Sequence, residues 1–100
     1  MGTLTKQPWE IIPVAIDFSE NMGTGEVIQL SSSTIVAYDS SGIDVSTTML
    51  DMTTKTVVDD TKLQISIKAG TVGTSYKISY RAYISSAKQL EEDMKVRMKN

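Results

Sequence analysis

From Lys62 to Lys99 the chain alternates apolar and polar side chains with a period of two. Leu63, Ile65 and Ile67 alternate with Lys62, Gln64, Ser66 and Lys68. Tyr76, Ile78, Tyr80, Ala82 and Ile84 alternate with Lys77, Ser79 and Arg81, and Leu90, Met94, Val96 and Met98 with Glu91, Asp93, Lys95, Arg97 and Lys99. Successive side chains of a strand point to opposite faces, so each run has one buried face and one solvated face. No sustained helical stripe competes with this pattern. Val, Ile and Thr make up 30 of the 100 residues, and such β-branched side chains fit a pleated surface better than a helix. Short strands separated by Gly, Asp and Ser clusters predict an all-β, immunoglobulin-like β-sandwich of about seven strands. Cysteine is absent, so there is no disulfide and apolar packing must hold the two sheets together. The length suits one domain, set at residues 8–100, with residues 1–7 read as a flexible N-terminal tail.

The N-terminal half is less regular. A first strand is expected over Trp9 to Phe18, and Pro13 makes it an edge strand or a kinked one. A second is expected from Glu26 to Tyr38, with a bulge at Ser31–Ser33. Asp39-Ser40-Ser41-Gly42 is a turn, followed by a third strand over Ile43 to Leu50 and a weaker one over Thr56 to Val58. Tyr76 follows a glycine loop containing Gly70 and Gly73 and stands two residues before Ile78. That is the position of a tyrosine corner, whose hydroxyl ties down the preceding turn. Trp9, just before the first strand, is expected to cover one end of the sandwich or else to anchor a partner.

Histidine is also absent, which excludes Ser-His-Asp and Cys-His catalysis and zinc sites built from His or Cys. Asp59-Asp60 and Glu91-Glu92-Asp93 read as turns and strand ends, because adjacent strand residues face opposite ways and form no dyad. The Asp39, Asp44 and Asp51 spacing does not match a calcium loop, and no G-K-[ST] follows the glycine loop. The chain is read as no enzyme, with no catalytic residue, metal or cofactor. No apolar run nears the ~20 residues that span a bilayer, and no secretory leader is visible, so no membrane partner is expected. Charge is more telling: residues 1–60 carry a net of −7 and residues 61–100 a net of +5. Lys77, Arg81, Lys95, Arg97 and Lys99 are placed on the outer face of the last two strands, with Tyr83 beside them. Glu10, Asp17, Glu20 and Glu26 are placed on or beside the first two strands, in the other sheet. Complementary faces of this kind join unlike partners or a homo-oligomer. Nucleic acid is disfavoured, since there are two arginines, a pI of about 5.0 and no aromatic platform among the lysines.

Several motifs follow one another along the chain: Lys6-x-Pro8-x-Glu10, Ile16-Asp17-Phe18-Ser19, Gly25-Glu26-Val27-Ile28, and Ala69-Gly70-Thr71-Val72-Gly73-Thr74-Ser75-Tyr76, then Arg81 and a final alternating strand. In these the chain resembles small immunoglobulin-like proteins encoded among the virion structural genes of tailed phages and prophages, some described as fiber-tail adaptors. Relatives often carry Trp at the position of Phe18 and an aromatic-Leu pair at Asn21-Met22, and Asp39 to Asp60 matches only in turn spacing. The resemblance implies a virion structural or adaptor protein acting through contacts with other phage structural proteins in the tail or neck. It implies no catalytic residue and no cofactor. Such a protein would reside in the bacterial cytoplasm during assembly and then in the virion. The alternative, motivated by the Ser/Thr-rich sandwich, is a bacterial immunoglobulin-like carbohydrate- or surface-binding module.

Overall fold

The three alternating runs form the strands expected of them: β5 (Lys62–Ile67), β6 (Ser75–Tyr83) and β7 (Gln89–Met98), in a computed structural model that describes residues 2–100. Upstream lie β1 (Gly2–Lys6), β2 (Ile12–Asp17), β3 (Thr34–Tyr38) and β4 (Leu50–Val58). The described residues thus form seven strands in two sheets, of order β1-β7-β6-β3 and β2-β5-β4. The second, third, fourth, fifth, sixth and seventh strands take the sheet positions of an immunoglobulin-like sandwich, and the first lies beside the last. The inward residues of both sheets meet in one layer. Ile35, Ala37, Ile78, Tyr80 and Val96 face Leu63, Ile65 and Ile67 across it, all fully buried or nearly so.

Residues 2–6 are not a loose tail. Gly2–Lys6 pair in parallel with Met94–Met98, and Lys6 is fully buried, so the strand is fixed by its partner rather than by its own polar sequence. Its ammonium group donates to the carbonyls of Ala69 at 2.6 Å and Gln7 at 2.9 Å. β2 begins at Ile12, later than expected, and Pro13 sits on an edge strand, where a missing N–H is tolerated. The serine break is not a bulge. Leu30–Ser32 forms a 3-10 turn, and the Ser33 hydroxyl donates to the carbonyl of Gln29 and accepts from the N–H of Tyr83. The strand expected over Ile43 to Leu50 is also corrected: Ser46–Met49 is a single helical turn, α1, that carries the chain from one sheet to the other. Asp44 and Ser46 divert this segment, since Asp44 Oδ1 accepts from both the N–H and the hydroxyl of Ser46. β4 then runs the length of β5, with its register shifted between Asp51 and Thr56.

The Asp39–Gly42 turn closes as its sequence requires. Asp39 Oδ1 accepts from the N–H groups of Ser41 and Ile43, and Gly42 takes a φ of 83°. The Tyr76 hydroxyl accepts the N–H of Thr71 at 3.0 Å, which pins the Ala69–Thr74 loop to the start of β6. Gly70, at φ 106°, lies so close to Met98 that a Cβ there would stand 2.7 Å from its sulfur. Gly73, at φ 83°, has open space around it. Urea unfolding should therefore rank three variants. Gly70→Ala meets both the left-handed strain of about 1–2 kcal/mol and the collision with Met98, and should be the most destabilised. Gly73→Ala should lose only the strain. Tyr76→Phe should lose about 1 kcal/mol with an unchanged m-value.

Candidate surface for protein contacts

The alternation of β6 and β7 places Lys77, Arg81, Lys95 and Arg97 on the outer face of the four-stranded sheet. Register then decides which of them act together. Lys77 lies opposite Lys95, and Ser75 opposite Arg97, so three cations gather near one end of the face. The Lys77 ammonium also sits 5.3 Å from the centre of the Tyr38 ring on β3. Arg81 is different, because its Nε donates to Glu91 Oε1 at 3.1 Å on the neighbouring strand. Asp93 interrupts the face further, accepting from the Ser79 hydroxyl at 2.8 Å. The outer face is thus a basic strip of Lys77, Lys95 and Arg97, with Lys99 just beyond, followed by a mixed region. Tyr83 is half-buried at the far end of β6 and lines a shallow depression of about 440 Å³ with Thr34, Arg81, Gln89 and Glu91. A groove of about 550 Å³ runs past Tyr38, Lys77, Arg81 and Lys95.

The acidic residues do not form one opposing face. Asp17 ends β2 opposite Lys62 and accepts the N–H of Ser19 at 2.9 Å. Glu10 accepts the N–H of Gln7 in the connection from β1 to β2. Glu26 is drawn to the four-stranded sheet, away from the placement expected of it. Its carboxylate accepts from the Ser86 hydroxyl, from the N–H of Gly23 at 2.5 Å and from Lys88 at 3.1 Å. Lys88 also donates to the carbonyl of Asn21, so this cluster ties the connection between β2 and β3 to the β6–β7 turn. The Ser86 hydroxyl, then the Gly23 N–H and then Lys88 hold the Glu26 carboxyl at about 2, well below the usual 4.5.

One end of the sandwich carries most of the exposed apolar side chains. Trp9 is 92% exposed, which overturns the expectation that it covers the sandwich end. Ile11 is 64%, Ile43 61% and Val72 47% exposed. These four lie in the connections between β1 and β2, between β3 and α1, and between β5 and β6, all at the end where β7 finishes. Between the Asp39–Val45 and Ala69–Thr74 segments a cleft of about 560 Å³ opens, with Met49, Gly70 and Tyr76 in its lining. Ile11, Ile43 and Val72 escaped the reading of the sequence. Ile43 and Val72 are each a single apolar residue among turn formers, and Ile11 precedes Ile12 at the start of an expected strand, so nothing in the neighbouring sequence marks them as exposed.

The podophage GP4 fiber-tail adaptor protein gp77 family matches residues 6–97, a span that holds β2 to β6, nearly all of β7 and the apolar end. The chain belongs to this family. Membership places it among structural components of phage tails, and hence of virions, which associate with other phage structural proteins. No curated protein and no solved structure matches the chain. Among the described residues no helix is long and apolar enough to cross a membrane.

The lowered Glu26 pKa has a consequence for stability that can be measured. A carboxyl held below its unfolded value stabilises the fold above about pH 4.5, and that contribution is lost as pH falls towards 2. Chemical denaturation followed from pH 6 to pH 2 should show a steeper loss of stability in the wild type than in Glu26→Gln. The basic strip offers a second measurement. Like charges directly opposite on neighbouring strands are destabilising, so Lys95→Glu should raise stability by about 0.2–1 kcal/mol in low-salt urea titrations.

Proposed function

We propose that this chain is a non-enzymatic tail adaptor that joins two virion components through protein contacts. The observation that carries this reading is the family match over residues 6–97. The exposed Trp9, Ile11, Ile43 and Val72 supply one docking surface, because scattered single apolar residues are ordinary but four gathered at one end mark an interaction site. Tryptophan in particular contributes to binding far beyond its share of an interface. The Lys77, Lys95 and Arg97 strip supplies a second surface of opposite character, suited to an acidic neighbour or to a further copy of the chain. Assembly takes place in the bacterial cytoplasm, and neither nucleic acid nor membrane is a partner. The exposed Trp9 ring also favours a second reading, a carbohydrate-binding module of the bacterial surface, since sugar binders present aromatic platforms.

Mass spectrometry of purified particles of the phage or prophage that encodes the chain separates these readings. Several copies per particle are expected, and Trp9→Ala together with Ile43→Asp should reduce incorporation while the isolated variant keeps its urea midpoint. Absence of the chain from intact particles, with a hit on a glycan array, would instead select the carbohydrate-binding module.

A further inference from the structure

Four sheet edges exist among the described strands, and three of them are closed to further pairing. Edge strand β2 carries Pro13. Edge strand β4 slips register between Asp51 and Thr56. Edge strand β3 is covered from outside: Ala37 accepts the N–H of Val45 at 2.8 Å and donates its own N–H to the Ser46 hydroxyl, while Tyr38 bridges to Asp44. Proline, bulges and covering loops are the usual ways in which proteins blunt an edge.

Edge strand β1 has none of these. It reads Gly2-Thr3-Leu4-Thr5-Lys6, without proline or bulge, and its one charged side chain is buried inward. Lys6 accepts the N–H of Lys99, so its backbone faces β7. In a parallel ladder alternate residues face alternate sides, which turns the N–H and C=O groups of Thr3 and Thr5 away from β7. Both threonines are exposed, and no hydrogen bond among the described residues reaches their backbone from that side.

We propose that the free edge of β1 receives an extended acidic segment of another protein as a fifth strand of the β1-β7-β6-β3 sheet. Charge selects the occupant. Thr3 is in register with Lys95 and Thr5 with Arg97, so both cations flank the edge on the outer face. An added strand would lie ~4.8 Å beyond β1, within reach of these long side chains, and carboxylates on its outward positions would meet them. Its inward residue would lie beside Leu4 at the open side of the sandwich, where Leu4, Val14 and Ile16 are only half-buried, and there an apolar side chain fits. The segment is therefore extended and alternates acidic with apolar residues. A second copy of this chain fits less well, because its own Lys95 and Arg97 would be brought alongside the first pair. This inference deepens the adaptor reading by giving one partner's chemistry, but its test on purified protein is independent of incorporation into particles.

Fluorescence anisotropy tests it with a labelled peptide of about ten residues that alternates Glu and Val, against the same peptide with Lys in place of Glu. The Glu peptide should bind, more weakly as salt rises, and the Lys peptide at least about tenfold more weakly. Thr3→Pro with Thr5→Pro removes only outward N–H groups, so binding should be lost while the urea midpoint holds. Should that variant lose stability, Lys95→Glu with Arg97→Glu provides the independent arm, in which the preference between the peptides should reverse. No binding of the Glu peptide, a preference unchanged by the charge reversal, or full binding by a stable proline variant would each overturn the proposal. So would sedimentation showing a dimer that the peptide cannot dissociate, which would assign the edge to a second copy.

Discussion

Nothing covalent joins the two sheets, so the molecule depends on the apolar layer between them. In immunoglobulin domains the position two residues after the corner tyrosine is a cysteine; here it is Ile78, fully buried. One inward step further along β6 stands Tyr80, also fully buried, whose hydroxyl donates to the carbonyl of Val14 on β2 at 3.1 Å. The link between the second and sixth strands is thus made by an aromatic ring and one hydrogen bond. Burial raises the Tyr80 pKa far above its ordinary value, so the hydroxyl keeps its proton at neutral pH and remains a donor. Each buried branched side chain in the layer contributes about 1.5–3 kcal/mol, against a conformational cost of similar total size. The core is small, and the surface features are arranged so as not to weaken it.

That economy shows at the apolar end. The Ala69–Thr74 loop is held from three directions: by the Lys6 ammonium on the Ala69 carbonyl, by the Tyr76 hydroxyl on the Thr71 N–H, and by Met98 against Gly70. Burial lowers the Lys6 pKa, while Glu10 opposes the shift. A lysine buried on carbonyls alone costs stability, and here it fixes the end of β1, the loop beneath Val72 and the connection that carries Trp9. Apolar side chains displayed on fixed loops lose less freedom on docking than they would on mobile ones. On the proposed use of this end for docking, that fixation would favour binding.

How much of this was legible depended on where each element finds its partners. β5, β6 and β7 are each written in their own sequence, because an alternating strand between two neighbours carries its pattern with it. β1 carries almost no pattern: Thr3 and Thr5 face solvent, Lys6 goes inward, and the strand exists only because β7 is there to pair with it. Such a contact between the two ends of the chain has no local signal. Ser46–Met49 misled for the opposite reason, since β-branched threonines favour a strand and the crossing between sheets overrode them. The charge asymmetry was visible as a sum but not as a surface. Whether Arg81 is free or paired depends on register with Glu91, and whether Glu26 faces outward depends on Ser86 and Lys88, some sixty residues away.

Register also connects the two surfaces. β1 ends at Lys6, and the connection that begins there carries Trp9 and Ile11 before β2 starts. A strand laid along β1 would therefore run directly to or from the apolar end, with Lys95 and Arg97 beside it and Lys99 at its limit. On the proposed pairing, the edge would supply direction through backbone hydrogen bonds, the cations a preference for acidic partners, and the apolar end a further contact. A segment paired in this way along β1 would take its orientation from the edge and its position from the neighbouring apolar end. The opposite end, with its loops tied down through Glu26 and Lys88, presents few free groups of either kind. The polarity of the molecule therefore lies along its strands more than between its sheets.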